Sequence, residues 1–363
     1  MSTRVDPRAY WVLLSMVAGV GAARVRRLIE RQGDAERAWR ASELELAEAD
    51  LDRRSIQSLV QLRQKLDPAE EWARLQRLGV TVLTLDDEAF PPRLREIVDP
   101  PPVLYVRGEI TPADEWSVAV VGTRRATSYG RQVVQRIVSE VARAGVTIVS
   151  GLARGIDTAA HHAALEAGGR TIGVLGSGLD RMYPQENTGL ARDMVKSGAV
   201  ITEFPLGTAP DAQHFPRRNR VVSGLSIATL VVEADLKSGA MITANLAAEQ
   251  GRDVFAVPGG ILSVTSAGPN QLIKEGAKVV TDAADILEEL HLTAVIEQRS
   301  ARLELPVDPT EATVMGALGD EPLHVDDISR AAGLTASVAA STLTMLELKG
   351  LARQLGGMMY VRG

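Results

Sequence analysis

Three guanidinium groups and an aromatic ring fall within six residues of this chain, in Phe215-Pro216-Arg217-Arg218-Asn219-Arg220. An aromatic face can stack a nucleobase, and arginines can hold the phosphates beside it; together they suit single-stranded nucleic acid. Further on lies Lys237-Ser238-Gly239. The apolar run at 227–232 reads as a buried strand and the pattern at 240–250 as a helix. That Lys-Ser-Gly turn therefore feeds a strand into a helix. First-turn N–H groups have no intrahelical partner there, and the helix dipole favours an anion. An isolated Arg-Arg-x-Arg is more often a solvated helix face. Other loops shift the balance.

Gly122-Thr123-Arg124-Arg125 leads to a Thr/Ser helix cap. Ser150-Gly151-Leu152-Ala153-Arg154-Gly155 and Gly176-Ser177-Gly178 are two further small-residue loops with basic residues at or near them. Each follows an expected strand. Strands are expected at 117–121, 146–149, 170–175, 199–202, 228–232, 254–257 and 278–280. Helices are expected at 129–144, 158–167, 186–196, 240–250 and 269–275. Such alternation predicts an α/β fold: a Rossmann-like, doubly wound, mostly parallel sheet with helices on both faces. Ligands of such sheets gather at the carboxyl ends of the strands, where all four loops fall.

The chain has 363 residues, suited to two or three domains, and is 45% apolar. Its net charge of −6 means that nucleic-acid binding must be focused in local basic sites. It has no cysteine, which excludes disulfides, thiolate catalysis and Cys-based zinc sites. Neither a signal-peptide pattern nor a membrane-length apolar run is seen, so a cytoplasmic protein is expected.

Residues 1–66 read as a small helical domain. Within it, helix, Gly19-Val20-Gly21 and helix form a helix-hairpin-helix pattern followed by Arg24, Arg26 and Arg27. Such a turn can offer N–H groups to phosphate, or be an ordinary helical hairpin. Residues 67–116 read as a connector packed on the core, 117–290 as the Rossmann-like domain and 291–308 as a linker. Residues 309–363 read as a winged helix: helices at 311–318, 324–331 and 335–349, then a hairpin. Its third helix has one lysine and no arginine, which favours protein contact or weak DNA binding over groove reading.

Gly176-x-Gly178 with Glu203 invites a dinucleotide-binding reading. The third glycine is absent, however, and Tyr183-Pro184 delays the helix. No cofactor is expected. The adjacent His161 and His162 face different sides of a helix and cannot share a metal. No catalytic set of nucleophile and base, or of paired carboxylates, is evident.

With these motifs in hand, the chain resembles the DprA/Smf DNA-processing family. The carriers are VGTRRATSYG at 121–130, SGLARGIDTAAHHAAL at 150–165, VLGSGLDRMYPQEN at 174–187, FPRRNRVVSGLS at 215–226, VEADLKSGAMITA at 232–244 and GRDVFAVPGG at 251–260. The tail resembles the family's winged helix and the N-terminal hairpin its helical domain of the sterile-alpha-motif type. Thr123 stands where the family usually has serine. The resemblance implies a non-enzymatic protein of natural transformation that binds and protects single-stranded DNA. It further implies loading of the RecA recombinase and dimerisation through the Rossmann-like domain. The implied DNA site comprises Gly122, Thr123, Arg124, Ser150, Gly151, Gly155, Gly176, Gly178, Phe215, Arg217, Asn219, Arg220, Lys237, Ser238 and Gly239. In it Phe215 stacks a base, and Arg124 and Lys237 hold phosphates. The competing class is an enzyme of the lysine-decarboxylase-like phosphoribohydrolase group, which Pro258-Gly259-Gly260 also resembles. Its following carboxylate is missing from PGGILSVTSAG.

Overall fold

A computed structural model describes residues 5–292, 308–319, 322–348 and 351–362. The chain divides into two compact units, Met1–Leu290 and His291–Gly363. The first opens with six helices, Arg8–Ser15, Ala22–Gln32, Ala35–Arg40, Glu43–Glu48, Arg53–Lys65 and Pro68–Arg77. Asp34, Ser42, Asp52 and Asp67 accept hydrogen bonds from first-turn N–H groups of the helices they precede. Each such cap contributes about 1 kcal/mol. In the glycine hairpin, Arg24 pairs with Asp52 at 2.9 Å and Arg27 with Asp50 at 3.0 Å. Both pairs lie at the surface, and Arg26 between them is exposed without an ion pair among the described residues.

Nine strands follow: β1 (Thr81–Thr84), β2 (Val103–Gly108), β3 (Ser117–Val121), β4 (Thr147–Ser150), β5 (Thr171–Val174), β6 (Ala199–Thr202), β7 (Ala228–Val231), β8 (Asp253–Ala256) and β9 (Lys278–Val279). They form one sheet in the order β1-β2-β6-β5-β4-β3-β7-β8-β9. Strands β3 to β9 run parallel, while β2 joins β6 antiparallel and β1 joins β2 antiparallel. The connector thus extends the sheet as well as packing on it. Every residue of β3 to β7 is buried. Strands covered on both faces read as continuous apolar runs, which is why the sequence marked them.

Right-handed crossovers put Ser128–Arg143, Ile156–Glu166 and Thr188–Met194 on one face. The order then reverses, and His214–Leu225 and Gly239–Glu249 pack together on the other. The reversal lies between β3 and β7. A single hydrophobic cluster includes Leu13, Leu59, Leu75, Leu104, Val149 and Ile201, so helices, connector and sheet share one core.

The second unit has helices Pro309–Ala317, Val325–Ala332 and Ala336–Leu348 with a three-stranded sheet. Val314, Ile328, Leu343 and Tyr360 form its core. It is a winged helix. Most of the linker expected at 291–308, and Lys349 of the third helix, lie outside the described residues.

Candidate nucleic-acid interface

The Phe-Pro-Arg-Arg-Asn-Arg run opens the helix His214–Leu225, an element absent from the sequence expectations. Pro216 sits in its first turn, where a missing N–H costs little. Phe215, Arg218, Asn219 and Val222 recur at helical spacing and line one open cavity of about 210 Å³ at the carboxyl ends of β3, β4 and β7. Gly122, Arg124, Gly151, Ser238 and Gly239 line it too. Seven residues of the expected site therefore converge on a single hollow.

Arg218 organises it. Its guanidinium is buried and donates to the carbonyls of Gly151, after β4, and Val174, at the end of β5. Gly151 is held from its other side as well: its N–H donates to the Asp157 carboxylate at 3.1 Å, and Ala153 N–H donates to the same oxygen at 3.3 Å. Burial pushes the Asp157 carboxyl up to about 6 against the attraction of Arg218, and brings Arg218 down to about 10. These two residues were not among the expected contacts. They pin the helix to the strand ends.

Around this clamp the exposed chemistry is arranged. Arg124 is exposed and stacks over the Phe215 ring at 5.0 Å. The Phe215 ring edge packs close to Gly176, where a β-carbon would stand 3.0 Å from it, a tight contact that glycine relieves. Tyr183 stands beside Phe215, the ring centroids 5.9 Å apart at 43°. Next in sequence to the cavity-lining Ser238 and Gly239, Lys237 is exposed and makes no ion pair among the described residues. Ser238 caps the next helix by accepting from Ala240 N–H at 3.3 Å. Asn219 donates to the Gly239 carbonyl at 3.3 Å, tying the two helices together. Thr123 Oγ1 accepts from Arg125 N–H at 3.2 Å and so shapes the turn that presents Arg124.

Several expected contacts are placed otherwise. Ser150 is fully buried and donates to the Val120 carbonyl at 2.6 Å, holding β4 to β3. The N–H of Gly178 donates to Thr208 at 3.0 Å, and that of Gly151 to Asp157, so neither is free for a phosphate. Gly155 has φ +81°, and a β-carbon there would overlap the Thr123 carbonyl oxygen; it lets two loops interlock. Arg220 is buried and binds Glu203 at 2.7 Å and Asp99 at 3.3 Å. Arg217 also reaches Glu203, at 2.8 Å, while lying over Phe204. Glu203 thus serves these arginines rather than a ribose, and its carboxyl is raised by burial. The arginines of one short run have separate fates because helical spacing turns Arg218 to the sheet and the other two toward β6.

His161 is buried against Thr171 at 2.6 Å, its pKa pushed down to about 3 by burial, while His162 is exposed. No group of metal-ligating side chains is present among the described residues. None of the described helices is long and apolar enough to cross a membrane.

A family model described as DNA recombination-mediator protein A matches residues 81–291, and the DprA winged helix domain matches residues 298–358. Protein Smf of Synechocystis is 34% identical, over 98% of this chain and 98% of its own. DNA processing protein DprA of Bacillus subtilis is 45% identical, over 60% of this chain and 74% of its own. The solved structure of DprA from Streptococcus pneumoniae has a TM-score of 0.68 at 34% identity, covering 80% of this chain and 99% of that one. DNA processing protein A from Helicobacter pylori, whose structure concerns its single-stranded DNA binding mode, has a TM-score of 0.53 at 32% identity, covering 58% of this chain and 95% of that one.

Proposed function

This chain belongs to the DprA/Smf family of DNA recombination-mediator proteins, and on that premise we propose that it binds single-stranded DNA at the hollow between Arg124, Phe215 and Lys237. In this reading it is a cytoplasmic, non-enzymatic protein of natural transformation. It protects incoming single strands and loads the RecA recombinase onto them, working as a homodimer through the Rossmann-like domain.

The observation that carries the reading is the Arg124–Phe215 stack at 5.0 Å, set across the cavity from the Lys237 turn. An aromatic face offers sequence-tolerant stacking, worth about 1–3 kcal/mol per base, and the flanking cations hold the backbone. Of the expected contacts, Gly122, Thr123, Arg124, Phe215, Asn219, Lys237, Ser238 and Gly239 stay in the proposed site. Arg217 flanks it. Arg220, Ser150 and the glycines at 151, 155, 176 and 178 act through the scaffold. The winged helix is assigned to protein contact or weak DNA binding, since the described Ala336–Leu348 carries no basic side chain.

The test is a titration of fluorescent oligo-dT and its duplex at two salt concentrations. Salt-sensitive binding that prefers the single strand is expected, with Phe215→Ala weaker by about 1–3 kcal/mol. Arg124→Ala should weaken it too, and the double variant should lose less than the sum, because the two side chains touch. Parent-like binding by Arg124→Ala and Lys237→Ala would refute the site. Release of free base from AMP would move the assignment to the hydrolase class.

A further inference from the structure

Beyond Tyr183 lies an open groove of about 970 Å³ that nothing above uses. We propose that it is a second nucleotide subsite, and that a bound single strand passes from the Phe215 face across the Tyr183 ring into it. This rests on the single-strand reading and extends that site.

Tyr183 is 42% exposed, and its hydroxyl makes no hydrogen bond among the described residues. An aromatic ring left half in water beside another ring, 5.9 Å away, offers adjacent bases of one strand a platform each. The groove past it is lined by Arg154, Arg181, Met182, Tyr183 and Thr188. Its volume stands at the upper end for ligand pockets, enough for more than one nucleotide.

The groove lining sets two arginines, Arg154 and Arg181, against two carboxylates, Asp180 and Glu186, and their pairing decides what is left for a phosphate. Asp180 in this groove accepts from Gly207 N–H at 2.7 Å and faces Arg74 at 3.5 Å. Glu186 is matched to Arg154 through two contacts of 2.9 Å. That leaves Arg181, exposed and without an ion pair among the described residues, as the cation open to a phosphate. The loop bearing it is braced: Ser177 Oγ donates to the Arg181 carbonyl at 2.7 Å, and Arg181 N–H donates to Gly178 O at 2.8 Å. A braced loop loses little freedom when a ligand arrives.

The plainer role for Tyr183 is to prop Phe215. Length separates the two. Binding would be measured for oligo-dT of about four to twelve nucleotides with the full chain, Tyr183→Ala, Tyr183→Phe and Arg181→Ala. The subsite predicts that Tyr183→Ala binds the shortest oligomers like the parent but the long ones about 5- to 150-fold more weakly. Tyr183→Phe should keep the parent's affinity. Arg181→Ala should lower the salt dependence on long oligomers alone. An abasic spacer at the position over Tyr183 should weaken the parent and leave Tyr183→Ala unchanged. Equal losses on short and long strands, or no loss on either, would overturn the subsite while Phe215→Ala still reports the first one. No binding by the parent would instead sink the single-strand reading, and this inference with it.

Discussion

Replacing Arg218 by methionine removes a guanidinium while keeping most of its apolar stem. The side chain donates to two buried carbonyls, Gly151 O and Val174 O. Each buried acceptor left without a partner costs about 1–3 kcal/mol. Asp157 would also lose the nearby cation that offsets its burial. The two orphaned acceptors alone put the expected loss at about 2–6 kcal/mol, a large share of the usual stability of a domain. Urea unfolding should show the earlier midpoint, and hydrogen exchange should locate it. The amides of Gly151, Ala153 and their neighbours after β4 and β5 should exchange faster, while the winged helix exchanges as before. The loss should shrink at pH 5, where the Asp157 carboxyl, pushed up to about 6, carries its proton and needs no cation. Oligo-dT binding should fall as well, although Arg218 itself is buried, because Phe215 rides on the same helix. A variant with the parent's midpoint and the parent's exchange after β4 would refute the clamp.

Two further outcomes follow from the same geometry. Lys237→Ala should weaken binding of all sequences alike and reduce the slope of log affinity against log salt by about 0.7, the share of one phosphate contact on a single strand. For Asp157, the folded value lies above the ordinary 3.8, so the folded state holds the proton more tightly. Its contribution to stability is full below about pH 4 and lost as pH rises through about 6, on the order of 2–3 kcal/mol. Asp157→Asn should flatten that part of the stability–pH curve; an unchanged curve would show that Asp157 titrates normally.

The parallel strands were legible because β3 to β7 are buried on both faces, which writes them as apolar runs. The loop cluster was legible because that topology sends their ends to one edge. The helix from His214 was not: Pro216 and the arginines hide its apolar period until the helix start is known. Nor could residue type separate Arg124, stacked and exposed, from Arg220, buried on Glu203 and Asp99. Those partners lie far away in sequence, and only the fold brings them together. The N–H groups at Gly151 and Gly178 are engaged within the protein for a related reason. A small residue marks a close approach, and here the approaching groups are the protein's own side chain and backbone.

The antiparallel seam between β2 and β6 bears on how the molecule can be cut. Tyr105 to Gly108 on β2 are in register with Thr202 to Ala199 on β6. A fragment beginning at Ser117 would leave β6 as a bare edge, its backbone groups open to pairing with another chain and self-association. It would also uncover the face that Leu104 and Tyr105 now shield from water. A soluble excised core must therefore carry the two strands before it, and a protease that nicks the 109–116 segment would leave the halves zipped together.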